Sequence, residues 1–196
     1  MKIFGRWENN VKVEDPGLVR YINLDPIIVP RTSGRQAKYR FYKSTKVNLV
    51  ERLINRLQNP GHKGKKHKIS SKNCTGKAVM HYNIVIKTFT LIEKRLNKNP
   101  IEVFVKAVEN AAPRDEITSI EYGGARYAQA VECAPQRRID YALRQMIQGA
   151  YSKSFDSKIK IEEALADEII KAYQQDQGSQ AIAKKLEVER QSSSSR

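Results

Sequence analysis

Apolar residues recur along most of this chain at intervals of three and four, the spacing that lines one side of an α-helix. Val47, Val50, Leu53, Ile54 and Leu57 form the first such stripe, with Ser44 or Thr45 available as a cap and Pro60-Gly61 as a stop. Ala78, Tyr82, Val85, Ile86, Phe89, Ile92 and Leu96 mark a longer second helix. The third opens on Asn99-Pro100-Ile101-Glu102, with Asn as cap and Pro in the first turn, and uses Ile101, Phe104, Val105 and Val108. A fourth starts at Ala134-Pro135 and carries Ile139, Ala142, Leu143, Met146, Ile147 and Ala150. A fifth carries Ile161, Leu165, Ile169, Ala172 and Tyr173, and a short sixth holds Ile182 and Leu186.

The period breaks in two places. From Ile117 to Glu132 the chain is rich in β-branched and aromatic residues around Gly123-Gly124, the pattern of a β-hairpin. A hairpin of that size is marginal in water by itself, so it must lean on the helices or on a partner. Residues 1–30 read as extended, with a turn at Pro16-Gly17 and an apolar Ile27-Ile28-Val29 framed by prolines. The predicted fold is mainly α: a bundle of about six helices, one protruding hairpin and an extended N-terminal arm. In domain terms, 1–43 is an extension and basic arm, 44–191 a helical domain with the hairpin at about 116–133, and 192–196 an unstructured Ser-rich tail.

Charge adds a functional direction. The 196 residues carry a net charge of +15, and the excess is localised. Between Arg31 and Pro100 there are 18 lysines and arginines against only Glu51 and Glu93, while the remaining segments nearly cancel. Crowded like charges repel, so such a patch makes physical sense beside a polyanion, of which nucleic acid is the commonest. The arm RTSGRQAKYRFYK supplies Arg31, Arg35, Lys38, Arg40 and Lys43 with Tyr39, Phe41 and Tyr42 between them; rings and cations together suit phosphates and bases. The loop after the first helix supplies Lys63, Lys65, Lys66, Lys68 and Lys72, and Lys77 follows. Arg137 and Arg138 sit together at a helix start, where paired guanidiniums can fork onto phosphates.

Other chemistries find little support. Gly76-Lys77 resembles the end of a phosphate-binding loop, but Ser71 and Ala78 stand where Gly and Ser/Thr belong. His62, His67 and Cys74 share a loop without a fourth ligand at the usual spacing, so no metal is expected. Glu162-Glu163 and Asp167-Glu168 flank an amphipathic stripe and read as a solvated helix face. Cys74 and Cys133 form no disulfide framework, and no stretch approaches a membrane span. No enzyme, cofactor, small-molecule substrate or membrane partner is expected. The dispersed cations argue against a groove-reading DNA-binding helix; a free-standing RNA chaperone or nucleic-acid-binding regulator remains open as a reading.

The stretch from Asn99 to Gln145, NPIEVFVKAVENAAPRDEITSIEYGGARYAQAVECAPQRRIDYALRQ, resembles small-subunit ribosomal protein family seven, the universal head protein. FGRW near the start, the VPRTSGRQAKYRFYK arm and VERLINRL look like the archaeal and eukaryotic branch, and the likeness runs over nearly the whole chain. It implies a helical bundle with a protruding hairpin and a structural, non-catalytic role in the cytoplasm, in the ribosome. Members are primary binders that nucleate folding of the 3′ major domain of the small-subunit rRNA. The hairpin is expected near the exit-site tRNA and mRNA exit path, and the C-terminal helices near the platform protein of family eleven. On this reading the rRNA contacts are the arm and loop cations above with Lys77, Arg114, Arg137 and Arg138. Tyr122, Gly123, Gly124, Arg126 and Tyr127 form the hairpin tip. Two departures stand out: Ala134 replaces the family's usual Ser, and LEVERQSSSSR only loosely matches the family's basic tail.

Overall fold

A computed structural model of the chain describes residues 2–25, 46–60 and 76–195. They contain six α-helices and one two-stranded antiparallel hairpin. The helices are α1 (Leu49–Leu57), α2 (Ala78–Leu96), α3 (Pro100–Ala111), α4 (Pro135–Ser154), α5 (Ile161–Tyr173) and α6 (Gln180–Ser194). Strands β1 (Asp115–Tyr122) and β2 (Ala125–Glu132) fall between α3 and α4. The expected mainly helical bundle with a projecting hairpin is the fold observed.

Burial follows the stripes. Ile139, Ala142, Leu143, Met146, Ile147 and Ala150 of α4 are all buried, as are Phe89 and Ile92 of α2 and Phe104 and Val108 of α3. Asn99 caps α3 through its side-chain oxygen, which accepts from the Ile101 amide at 3.0 Å. The cap of α1 is Asn48, whose Oδ1 accepts from the Val50 amide at 2.8 Å, rather than the expected Ser44 or Thr45. Leu186, assigned to the apolar side of the sixth helix, is exposed instead.

Helix α5 lies at the centre, packed on α2, α3, α4 and α6. Its buried positions are mostly small (Ala164, Ala166 and Ala172 beside Leu165 and Ile169), which lets neighbouring backbones come close. One buried position is not apolar. Glu168 is completely shielded from solvent, which corrects the solvated-face expectation for that residue, while its neighbour Asp167 keeps a solvent-exposed side chain. The Glu168 carboxylate receives the Lys153 ammonium of α4 at 2.6 Å, the Ser179 hydroxyl at 2.8 Å and the Ala181 amide at 3.2 Å. Gly149 of α4 faces it; a Cβ there would come within 3.0 Å of the Glu168 carboxyl group.

Residues 2–25 are irregular apart from a 3-10 turn at Val19–Tyr21, yet they are integral to the core. Ile3, Trp7 and Leu18 are buried. Phe4 and Trp7 meet Phe89 edge-on, with centroids 6.3 and 5.7 Å away, and the Trp7 indole donates to Glu93 at 3.1 Å. The buried carboxylate of Glu109 in α3 accepts the Glu14 and Asp15 amides at 2.7 and 3.2 Å, fixing the rest of the segment. At the other terminus, α6 takes in Ser192–Ser194, and Ser192 is buried, where an unstructured tail was expected. The residues 26–45 and 61–75, including the apolar segment 27–29, lie outside the described residues.

Removing a buried carboxylate leaves its donors unpaired. The Glu168→Ala variant is expected to lose about 3 kcal/mol of stability in urea denaturation; a loss under about 0.5 kcal/mol would place it among neutral surface changes.

Candidate nucleic-acid interface

Ten of the expected contacts, Arg31, Arg35, Lys38, Arg40 and Lys43 in the arm and Lys63, Lys65, Lys66, Lys68 and Lys72 in the loop, fall outside the described residues. Lys77 is exposed and sits at the N-cap of α2, where its carbonyl accepts from the His81 ring Nδ1 at 2.6 Å. Arg114 is exposed at the root of the hairpin; its backbone amide donates to Glu189 of α6 at 3.0 Å and its carbonyl accepts from the Cys133 amide.

Arg137 and Arg138 do not act as a pair. Neighbours on a helix project about 100° apart, so one faces outward and the other inward. Arg137 stays exposed and its Nε donates to Glu116 of β1 at 2.6 Å, a bond that raises its already high pKa. Arg138 is buried; Nε donates to the Pro113 carbonyl at 3.0 Å and Nη2 to Asp15 at 2.7 Å. It ties the N-terminal segment to the hairpin root. Ala134 supplies no side-chain cap to α4, as its side chain dictates.

The outward face of α4 is nonetheless cationic. Arg137, Tyr141 and Arg144 are spaced four and three residues apart and share one side of the helix. Tyr141 is the centre of this face. Burial pushes its hydroxyl pKa up, Glu187 adds to that, and the charges of Lys184, Arg144 and Arg137 pull against it. Four residues outside the sequence-based expectation therefore join Arg137: Tyr141 and Arg144 of α4, Lys184 of α6 and Arg56 of α1, which stands beside Arg144. The signal for Tyr141 and Arg144 in the sequence is the polar complement of the α4 apolar stripe; Lys184 and Arg56 come from other helices and join it only through packing. Ion pairs lie on both sides of the bundle: Lys87 meets Glu162 at 3.4 Å and Arg95 meets Asp167 between α2 and α5, while Arg137 meets Glu116 and Lys184 meets Glu187 on the α4–α6 side.

The hairpin works differently. Its two-residue turn puts Gly123 and Gly124 at φ +60° and +80°, the sign pattern of a type I′ turn. A Cβ at either would touch nothing, so glycine is required by the backbone conformation and not by space. Pairing sets Ile120 opposite Tyr127 and Tyr122 opposite Ala125, so Ile120, Tyr122 and Tyr127 share one face. All three are exposed, Tyr122 at 81%. Arg126 and Glu121 pair on the reverse face at 3.5 Å. The strands hold four acids against one arginine, so rings rather than charge are what the tip offers a nucleic acid. Only the root leans on the bundle, against α6.

Among the described residues no cluster of His, Cys, Asp and Glu is arranged to hold a metal ion, and no helix is long and apolar enough to cross a membrane. Cys133 is buried and its thiol is pushed up to about 11, first by burial and then by Glu116. A helical bundle with a projecting, ring-bearing hairpin defines a scaffold-type protein. Residues 19–196 match the family described as Ribosomal protein S7p/S5e, and the chain belongs to it. It is 55% identical over 197 residues to the small ribosomal subunit protein uS7 of Nanoarchaeum equitans (strain Kin4-M), covering all of this chain and 99% of that relative. The family is one of ribosomal structural proteins and not of enzymes, and its place is the ribosome, in the cytoplasm.

The Asp15–Arg138 contact gives a pH signature. Burial pushes the Asp15 carboxyl up, but the bonds from Arg138 and Gly17 and the charges of Arg138 and Arg114 outweigh it, so its pKa falls below the ordinary value of 3.8. A carboxylate depressed in the folded state stabilises above its unfolded pKa, and that contribution is lost as pH falls through the folded one. Solvent reaches part of the pair and screens it, so Asp15→Asn is expected to cost about 1 kcal/mol at pH 7. The gap to the wild type should narrow only below about pH 4; denaturation curves at pH 3 and pH 7 check this, and an equal gap at both contradicts it.

Proposed function

We propose that this chain is the small-subunit head protein that binds the 3′ major domain of rRNA and nucleates its folding. The observation that carries the reading is the end-to-end 55% identity to a small-subunit uS7 protein. The localised excess of cations between Arg31 and Pro100 supports it: lysines and arginines that neutralise phosphates release counterions, and folded RNA is recognised through shape as well as charge. The arm (Arg31, Arg35, Lys38, Arg40, Lys43) and the loop (Lys63, Lys65, Lys66, Lys68, Lys72), with Lys77 and Arg114, supply the broad electrostatic attraction. Arg137, Arg144 and Lys184 around Tyr141 supply a rigid face on helices. Arg138 serves this surface from inside, by holding the hairpin root.

The hairpin tip, with Tyr122, Gly123, Gly124, Arg126 and Tyr127, reaches toward the exit-site tRNA and the mRNA exit path. Its stacking face and lack of net positive charge suit a neighbour that passes through rather than one bound permanently. The platform protein of family eleven is the neighbour assigned to the C-terminal helices.

Two variants test this. Reversing Lys63, Lys65, Lys66, Lys68 and Lys72 to Glu should weaken binding to a 3′ major-domain transcript. It should also flatten the log–log salt slope by roughly 0.7 to 0.9 for each phosphate no longer neutralised; an unchanged slope contradicts the assignment. Deleting 122–127 should leave folding and transcript binding intact while altering exit-site tRNA retention in reconstituted subunits. Failure of head assembly in that variant would overturn the division of labour.

A further inference from the structure

Between α1 and α4 lies a cavity of about 250 Å³, lined by Arg52, Asn55 and Arg56 of α1 and by Asp140, Leu143 and Arg144 of α4, with Val47 at its edge. At roughly 30 Å³ per molecule it has room for about eight waters. Three guanidiniums converge there on one carboxylate, which leaves the cavity two charges in excess.

Asp140 is committed: it receives Arg52 Nη2 at 3.1 Å. Arg52 is itself a strut, its side chain only 2% exposed, with Nη1 donating to the Tyr21 carbonyl at 3.1 Å. Its Nε, however, is buried with no hydrogen-bond partner among the described residues, and so is the Nε of Arg56. Arg56 carries a further load. Burial first, and the neighbouring charge of Arg144 second, press its pKa below the ordinary value. A guanidinium does not give up its proton in a protein, so the stress is relieved only by an anion. Buried donors without acceptors and three like charges that Asp140 only partly offsets are the two features a bound oxyanion would remove together. Leu143 adds an apolar wall, which strengthens charge interactions at the site.

We propose that this cavity is a preformed seat for a single phosphate group of the RNA backbone, held by Arg56 and Arg144 over the fixed Arg52–Asp140 pair. The proposal rests on the rRNA-binding reading above and adds to it a point of register. The arm and loop lysines attract by charge alone, whereas a walled seat with fixed donors accepts a phosphate at one place only.

The test uses the full chain with ¹⁵N-labelled arginine, following the Nε–H signals while inorganic phosphate is added at constant ionic strength. The Arg52 and Arg56 signals should move along one saturating curve, and the Arg52 signal should stay put in the double variant Arg56→Gln, Arg144→Gln. Both substituted groups keep a polar side chain at the cavity rim, and circular dichroism checks the fold. A shift without saturation, or one shared equally by the exposed Arg126, means an adventitious ion only and overturns the seat. Against the rRNA transcript the double variant should lose about tenfold or more in affinity and about one unit of salt slope, beyond the loss in a Lys94→Gln, Lys158→Gln control of equal charge. Equal losses in the two variants also overturn it. If wild-type protein shows no preference for the transcript while the phosphate curve saturates, the rRNA reading fails and the anion seat does not.

Discussion

One fully buried carboxylate holds the working parts of this protein in register. Glu168, on the central helix α5, takes a charge from α4 and two donors from the start of α6. Burying a carboxylate is costly unless every lone pair finds a donor, so the arrangement tolerates little displacement of either helix. Gly149 is the matching concession on α4, since any side chain there would strike the carboxyl group. Specificity of packing, more than net stability, is what such a site gives a bundle whose α5 otherwise packs through aliphatic side chains.

The surfaces that matter are carried by the two helices Glu168 joins. Helix α4 buries one stripe and presents Arg137, Tyr141 and Arg144 on the other. Helix α6 brings Lys184 to Tyr141, then fixes the hairpin root: Lys185 donates to the Asn110 carbonyl at 2.8 Å and Glu189 accepts from the Arg114 amide. From the opposite side Arg138 reaches from α4 to Pro113 and Asp15. The hairpin therefore has a rigid base and a free tip, while the cations stand on helices that cannot slide. A polyanion of defined shape needs such a surface, because flexible lysines attract every nucleic acid alike.

Much of this is legible in the sequence, and the reasons are specific. Stripes such as Ile139 to Ala150, the Asn99-Pro100 start and the Gly123-Gly124 turn are local signals, and the structure follows them. Glu168 escapes such a reading because its neighbours Glu162, Glu163 and Asp167 accompany it in one acidic run, and only tertiary contact with Lys153 and Ser179 separates it from them. Arg138 escapes for a related reason: adjacency in sequence to Arg137 says nothing about the side of the helix each occupies. Arg56 and Arg144 are far apart in the chain and meet only when α1 packs on α4. The serine run joins α6 because α6 has a neighbour to pack against, which residue composition does not reveal.

Whether these cations select one folded RNA is decided most directly by competition: the purified chain bound to a 3′ major-domain transcript, challenged with excess duplex DNA and with an unrelated structured RNA across a salt series. Binding should fall steeply with salt yet survive both competitors at every salt concentration where it is detectable. Equal displacement by all three nucleic acids would contradict that selectivity, leaving a basic helical bundle with no preference for rRNA.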